Sequence, residues 1–284
     1  MAARALARRN LIDFITYTFP SYRPEPVHHV IARHLEAVLR GDIKRLLISA
    51  PPQTGKSELV SVRFPAFWLA HRPDDPVILC SYGSSLAHSL AWEARNVVDS
   101  PAFRSLFRVR VSQTSRAKER WRLHGRKGGM VAAGVGGPIT GHGAMLGIID
   151  DPFKDWQEAM SPTTRERVWN WYRSTFRTRI WEGGAIVIVQ TRWVEDDLVG
   201  RLLSSEQEDW VMLRLPALAE TPEERAEAAR ILGVEPEPCD PLLRRPGEPL
   251  CPGRFSKETL EAIREDVGSY VSVSYTHLTL PTKA

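Results

Sequence analysis

Eight consecutive residues, Ala50-Pro51-Pro52-Gln53-Thr54-Gly55-Lys56-Ser57, fit the spacing of a phosphate-binding loop, with alanine in place of its first glycine. A short apolar run, Arg45 to Ser49, precedes them and a helical pattern follows, the setting in which backbone N–H groups at a helix start converge on an anion. In such a loop Gly55, Lys56 and Ser57 offer N–H groups to the phosphates of ATP. The Lys56 ammonium would neutralise β and γ oxygens, and the Ser57 hydroxyl would coordinate Mg2+. Pro51 and Pro52 carry no N–H, which suits the rising arm of the loop, where donors are least needed.

Two carboxylates, Asp150 and Asp151, end a second apolar run at Met145 to Ile149. The first is placed to hold the Mg2+ shell; the second is the candidate for polarising the attacking water. Asp151 is one methylene shorter than the more usual Glu, so it must sit closer or act through a second water. A third run, Ala185 to Val189, leads into Gln190-Thr191-Arg192, and a polar group such as Thr191 at that point can sense the γ-phosphate. The structural alternatives are a strand-ending turn for Asp-Asp-Pro and a turn with a helix cap at Thr191. Asp196 and Asp197 suit the first turn of the next helix and are read as capping.

These residues need a scaffold that brings strand ends together. Helical spacing recurs over residues 6–19 and 28–39, Gly41 stopping the second segment. Strands are expected at 45–49, 77–82, 145–149, 185–189 and 211–215, with Ser84 or Ser85 capping a helix to about 98 and Ser161-Pro162 starting one to about 180. Apolar strands separated by helices imply a mainly parallel sheet covered on both faces, an α/β fold whose ligands bind at the carboxyl ends of strands.

The 284 residues carry 38 Lys and Arg against 34 Asp and Glu, so nucleic-acid contact must come from local patches and not from bulk charge. One such patch runs through Arg108, Arg110, Arg116, Lys118, Arg120, Arg122 and Arg126, opposed only by Glu119. It could grip DNA phosphates without reading bases, or be a solvated hairpin. Cys80, Cys239 and Cys251 fit neither a disulfide framework nor a zinc spacing and point to a reducing compartment. No apolar run has the ~18 residues of a membrane helix, so no membrane partner is expected.

In wording and order, Ala50-Pro51-Pro52-x-x-Gly55-Lys56-Ser57-Glu58, Ser81-Tyr82, Ile148-Ile149-Asp150-Asp151-Pro152, Trp169-x-Trp171-Tyr172 and Thr191-Arg192-Trp193-x-x-Asp196-Asp197-Leu198 resemble the large terminases of tailed phages and prophages. The resemblance runs from about residue 28 to 255. It implies a P-loop ATPase of the additional-strand, catalytic-acid type that moves double-stranded DNA into a procapsid, followed by an RNase H-like nuclease. By that likeness Lys56 and Ser57 take the phosphate and magnesium positions, Asp150 the metal-shell acid, Asp151 the catalytic acid and Thr191 the coupling motif. It also implies a portal protein, a small terminase subunit and a homo-oligomeric ring as partners, in the cytoplasm of a bacterial host. Gln53 departs from the family, many members of which carry Arg there, so the transition-state charge must come from elsewhere, such as a neighbouring subunit. Residues 1–220 are expected as the motor domain, 221–255 as a linker, 256–270 as the start of a truncated nuclease domain and 271–284 as a non-native tail. Without the nuclease acids no DNA cleavage is expected. A helicase-like translocase and a nucleotide-binding fragment without turnover are the competing readings.

Overall fold

The computed structural model describes residues 2–205 and 208–267. The expected tail at 271–284, and the end of the 256–270 segment, lie outside them. The N-terminal helical pattern resolves into two helices, α1 (Ala2–Ala7) and α2 (Leu11–Thr18), where one was expected. The break falls at Asn10, whose backbone is extended and whose side chain donates to Asp13 at 2.9 Å, a local bond that opens a new helix. Helix α3 (Pro26–Arg40) starts two residues before the expected segment, with proline in its first turn, and ends, as the sequence predicts, at Gly41, which lies in the left-handed region.

Strand β1 (Arg45–Ser49) enters the phosphate loop, and the chain is helical from Lys56 onward, first as a π-helical turn over Glu58–Arg63 and then as α4 (Phe64–His71). Next come β2 (Val77–Ser81), α5 (Ser84–Asp99) and α6 (Pro101–Leu106). No serine side chain caps α5: Gly83 holds the cap position, and the chain runs directly into the helix. The basic segment forms the hairpin β3 (Val111–Arg116) and β4 (Arg120–Leu123), and β5 (Gly129–Gly134) occupies the glycine-dense stretch that offered no strand signal. The remaining elements are β6 (Ala144–Asp150), α7 (Trp156–Met160), α8 (Pro162–Trp171), β7 (Ile180–Gln190), α9 (Leu198–Leu203), β8 (Val211–Arg214), α10 (Pro222–Leu232) and α11 (Lys257–Val267).

All eight strands join one sheet in the order β3-β4-β5-β2-β6-β7-β1-β8. The pairs from β5 to β8 are parallel, whereas β3 and β4 add an antiparallel edge. β7 separates the loop-bearing β1 from the acid-bearing β6, which is the additional strand. Alternate residues feed two cores: Leu46, Ile48, Val77 and Leu79 pack with α2 to α6, while Leu47, Ile78, Cys80 and Ile149 pack with α7 to α9. Helices thus cover both faces.

The 221–255 stretch, expected as a linker, contains one helix and a return to the core. Thr221 and Glu224 form a capping box for α10, and Leu250 and Cys251 return to the first core. Among the described residues no helix is long and apolar enough to cross a membrane.

Candidate nucleotide-binding site

Parallel register brings the carboxyl ends of four strands level. Ser49 aligns with Gln190, Asp150 with Val189 and Ser81 with Asp150, so β1, β7, β6 and β2 all deliver their last residues to one edge. There the loop, Asp151 and Thr191 border a cleft of about 550 Å3, lined among others by Gly55, Lys56, Ser57, Asp151, Thr191 and Arg254, while Asp150 is buried beside it.

The loop is shaped by backbone and by α3. Gln53 (φ 60°) and Gly55 (φ 81°) lie in the left-handed region; the glycine does so without strain. Thr54 turns inward, its hydroxyl donating to the Pro51 carbonyl at 2.9 Å. The buried ring of His28 holds the loop from behind. The Glu25 N–H donates to Nδ1 at 2.8 Å, so Nε2 carries the hydrogen and donates to the Thr54 carbonyl at 2.8 Å. Burial lowers the His28 pKa below its usual value, against the raising effect of the Thr54 bond, and favours this neutral tautomer. Sequence reading missed His28; the one signal was its place three residues after Glu25, at the third position of a proline-started helix.

Lys56 is buried and its ammonium has three acceptors, one per hydrogen. These are Thr191 Oγ1 at 2.6 Å, Asp151 Oδ2 at 3.2 Å and the Ala50 carbonyl at 3.4 Å. Asp151 closes the arrangement by accepting the Thr191 N–H on Oδ1 at 2.6 Å. Its backbone is left-handed (φ 44°) and pinned on both sides, the N–H donating to Val189 and the carbonyl accepting from Tyr82. Neighbouring strands thereby enforce a conformation that a non-glycine residue adopts at a cost of roughly 1 kcal/mol or more, and it turns the carboxylate out of the strand toward the lysine.

Asp150 points the other way, into the protein. It is essentially buried and accepts Ser57 Oγ at 3.0 Å and Ser61 Oγ at 2.5 Å. Burial raises its pKa strongly and the Asp151 charge raises it further, against the lowering effects of Ser61, Lys56 and Ser57. A buried carboxylate beside a loop hydroxyl is a pair of hard oxygen donors of the kind Mg2+ takes when phosphates and waters complete its shell. Among the described residues no cluster of three or more His, Cys, Asp or Glu could hold a metal alone. Ser61 also escaped sequence reading, although it lies four residues after Ser57 and so on the same helical face.

The loop, both acids and Thr191 are thus brought together. Gln190 lies just behind them and belongs to a buried network, donating to Asp197 at 2.8 Å. Arg192 Nε donates to the same carboxylate oxygen at 2.9 Å, and Asp197 caps α9 by accepting the Gly200 N–H. The capping assignment holds for Asp197; Asp196 instead pairs with Arg201 and Arg165, because its exposed side chain meets two guanidinium groups.

No family model matches the chain, and no curated protein does. Among solved structures, the HK97 bacteriophage large terminase superposes with a TM-score of 0.53 at 14% identity, over 96% of this chain and 55% of that one. The fold is that of a P-loop NTPase. The chain spans about half the length of that terminase. AMPPCP-bound DnaA from Aquifex aeolicus aligns over 81% of this chain and 57% of its own at 13% identity, with a TM-score of 0.34.

Proposed function

We propose that this P-loop NTPase hydrolyses Mg2+-ATP and uses the energy to drive double-stranded viral DNA into a procapsid, as the motor portion of a large terminase. The observation that carries the hydrolytic reading is the closed set Lys56, Asp151 and Thr191 at the ends of three adjacent strands, beside the Ser57 and Asp150 oxygen pair. In this proposal Ala50 to Ser57 wrap the phosphates. The γ-phosphate enters beside Lys56, whose ammonium exchanges Asp151 for phosphate oxygens. The freed Asp151 carboxylate then orients and deprotonates the attacking water. Ser57 and Asp150 would hold Mg2+, which would supply positive charge against the phosphates. Thr191, touching both Lys56 and Asp151, registers whether that exchange has occurred and passes it to its chain neighbour Arg192 and so to the Arg192 and Asp197 network.

The DNA-packaging part rests on the ordered motifs and on the terminase-like fold. It extends to a portal protein, a small terminase subunit and a ring of copies as partners. The hairpin β3–β4 and the residues flanking it support a phosphate-gripping surface, since Arg108, Arg110, Lys118, Arg122 and Arg126 are exposed there. The test is steady-state phosphate release from Mg2+-ATP with and without linear double-stranded DNA. Turnover abolished by Lys56→Ala and accelerated by DNA is expected; turnover indifferent to DNA would leave an NTPase but refute the motor.

A further inference from the structure

Arg254 reaches the cleft from outside the sheet, 201 residues beyond Gln53 in sequence. Its Nη1 donates to the Gln53 carbonyl at 2.9 Å, and a Cβ built on Gly55 would lie 3.3 Å from its Nη2. The guanidinium therefore rests against the phosphate loop, one residue from Lys56, and lines the same cleft. The turn that carries it is anchored at both ends. Leu250 and Cys251 are buried in the first core, and the Gly253 N–H donates to Glu25 Oε2 at 3.2 Å. Glu25 also lies 3.6 Å from Arg254 Nε, and its own N–H fixes His28, which holds Thr54. Loop, α3 and the 251–254 turn form one closed circuit.

Gln53 is neutral, so within the loop itself Lys56 is the sole cation. A P-loop NTPase gains much of its rate from a further positive charge on the transferring phosphate, supplied by the same chain or by a neighbour. Arg254 is in place to supply it. The guanidinium is 39% exposed, and its contact with Glu25 is long. A phosphate offers two-point contacts at about 2.7–2.9 Å, which would outcompete so loose a pairing. We propose that Arg254 is a phosphate-binding residue of this site, contacting the terminal phosphate of bound ATP in cis. The proposal rests on the nucleotide-site reading above, and it makes the segment after the sheet part of the site.

Equilibrium binding of ADP and of the β,γ-methylene analogue AMPPCP to the 284-residue chain tests it. Arg254→Ala should weaken AMPPCP by about tenfold or more, equivalent to about 1.4 kcal/mol, while ADP changes by less than about threefold. Arg254→Lys should recover part of the loss, since it restores charge without the fork. Arg254→Gln keeps a donor for the Gln53 carbonyl but has no charge, so it decides by the same thresholds if the alanine variant melts early. Unchanged AMPPCP affinity in the neutral variants, or equal loss of both nucleotides, overturns the role of Arg254. A parent chain that binds neither nucleotide, indistinguishable from Lys56→Ala, instead overturns the site reading on which it rests.

Discussion

Ser61→Ala isolates the one contact that fixes Asp150 without touching the loop. Ser61 is fully buried, its hydroxyl donates to Asp150 Oδ2 at 2.5 Å, and among the described residues Ser57 is the other hydroxyl donor to Asp150. A hydrogen bond to a charged group contributes about 1.5–3 kcal/mol, and its removal leaves a buried carboxylate oxygen short of a partner. Alanine returns at most about 0.5 kcal/mol through better helix propensity. The net loss should be about 1–2.5 kcal/mol, or a fall in Tm of roughly 2–10 °C for a domain of this size. Thermal unfolding at pH 7.5 measures it, and turnover titrated with Mg2+ should show a raised half-saturation because Asp150 is less well aimed. A Tm within 1 °C of the parent, with the Mg2+ dependence unchanged, would refute the reasoning that Ser61 holds the Asp150 carboxylate in place.

The Arg192 and Asp197 pair is almost wholly buried, so Arg192→Leu should cost about 3–5 kcal/mol by stranding the carboxylate, read as a lowered denaturation midpoint. The neutral ring of His28 gives a pH dependence of definite sign. Its folded pKa is depressed, so the stability it contributes is complete above about pH 6.5 and is lost as pH falls toward the lower folded value. His28→Gln should remove that slope between about pH 7 and 5, and a slope unchanged in unfolding titrations would contradict the assignment. At the hairpin, Arg110→Ala and Arg122→Ala together should weaken double-stranded DNA binding alike for all sequences and reduce the log–log salt slope by about two; an unchanged slope would leave the hairpin a solvated edge.

The phosphate loop was legible because eight adjacent residues carry its chemistry, β8 showed as a short apolar run at the sheet's edge, and β1, β2, β6 and β7 were legible because central parallel strands are apolar runs with polar ends. β5 was not, since Gly-Met-Val-Ala-Ala-Gly is built for close backbone approach: a Cβ on Gly134 would lie 2.9 Å from the Ser84 nitrogen. β3 and β4 form an edge and keep the charge of a surface segment, so they appeared only as a basic patch. The contacts that complete the site were hidden for another reason. His28, Ser61 and Arg254 act on the loop and the acid through tertiary bonds to Thr54, Asp150 and Gln53, and two of these three bonds are to backbone carbonyls, which leave no mark on side-chain type. The proline- and glutamate-rich composition of residues 221–255 likewise concealed a capped helix and the return of Leu250 to the core.

Asp151→Asn tests the central claim most directly, because asparagine keeps the shape and an acceptor for the Thr191 N–H while removing the base. ATP binding and steady-state phosphate release are measured side by side on the parent and the variant. Binding within a few-fold of the parent, with turnover lowered at least about a hundredfold, is the predicted result. Turnover at the parental rate would mean that Asp151 does not activate the water, and that the contact between Lys56 and Asp151 is only structural.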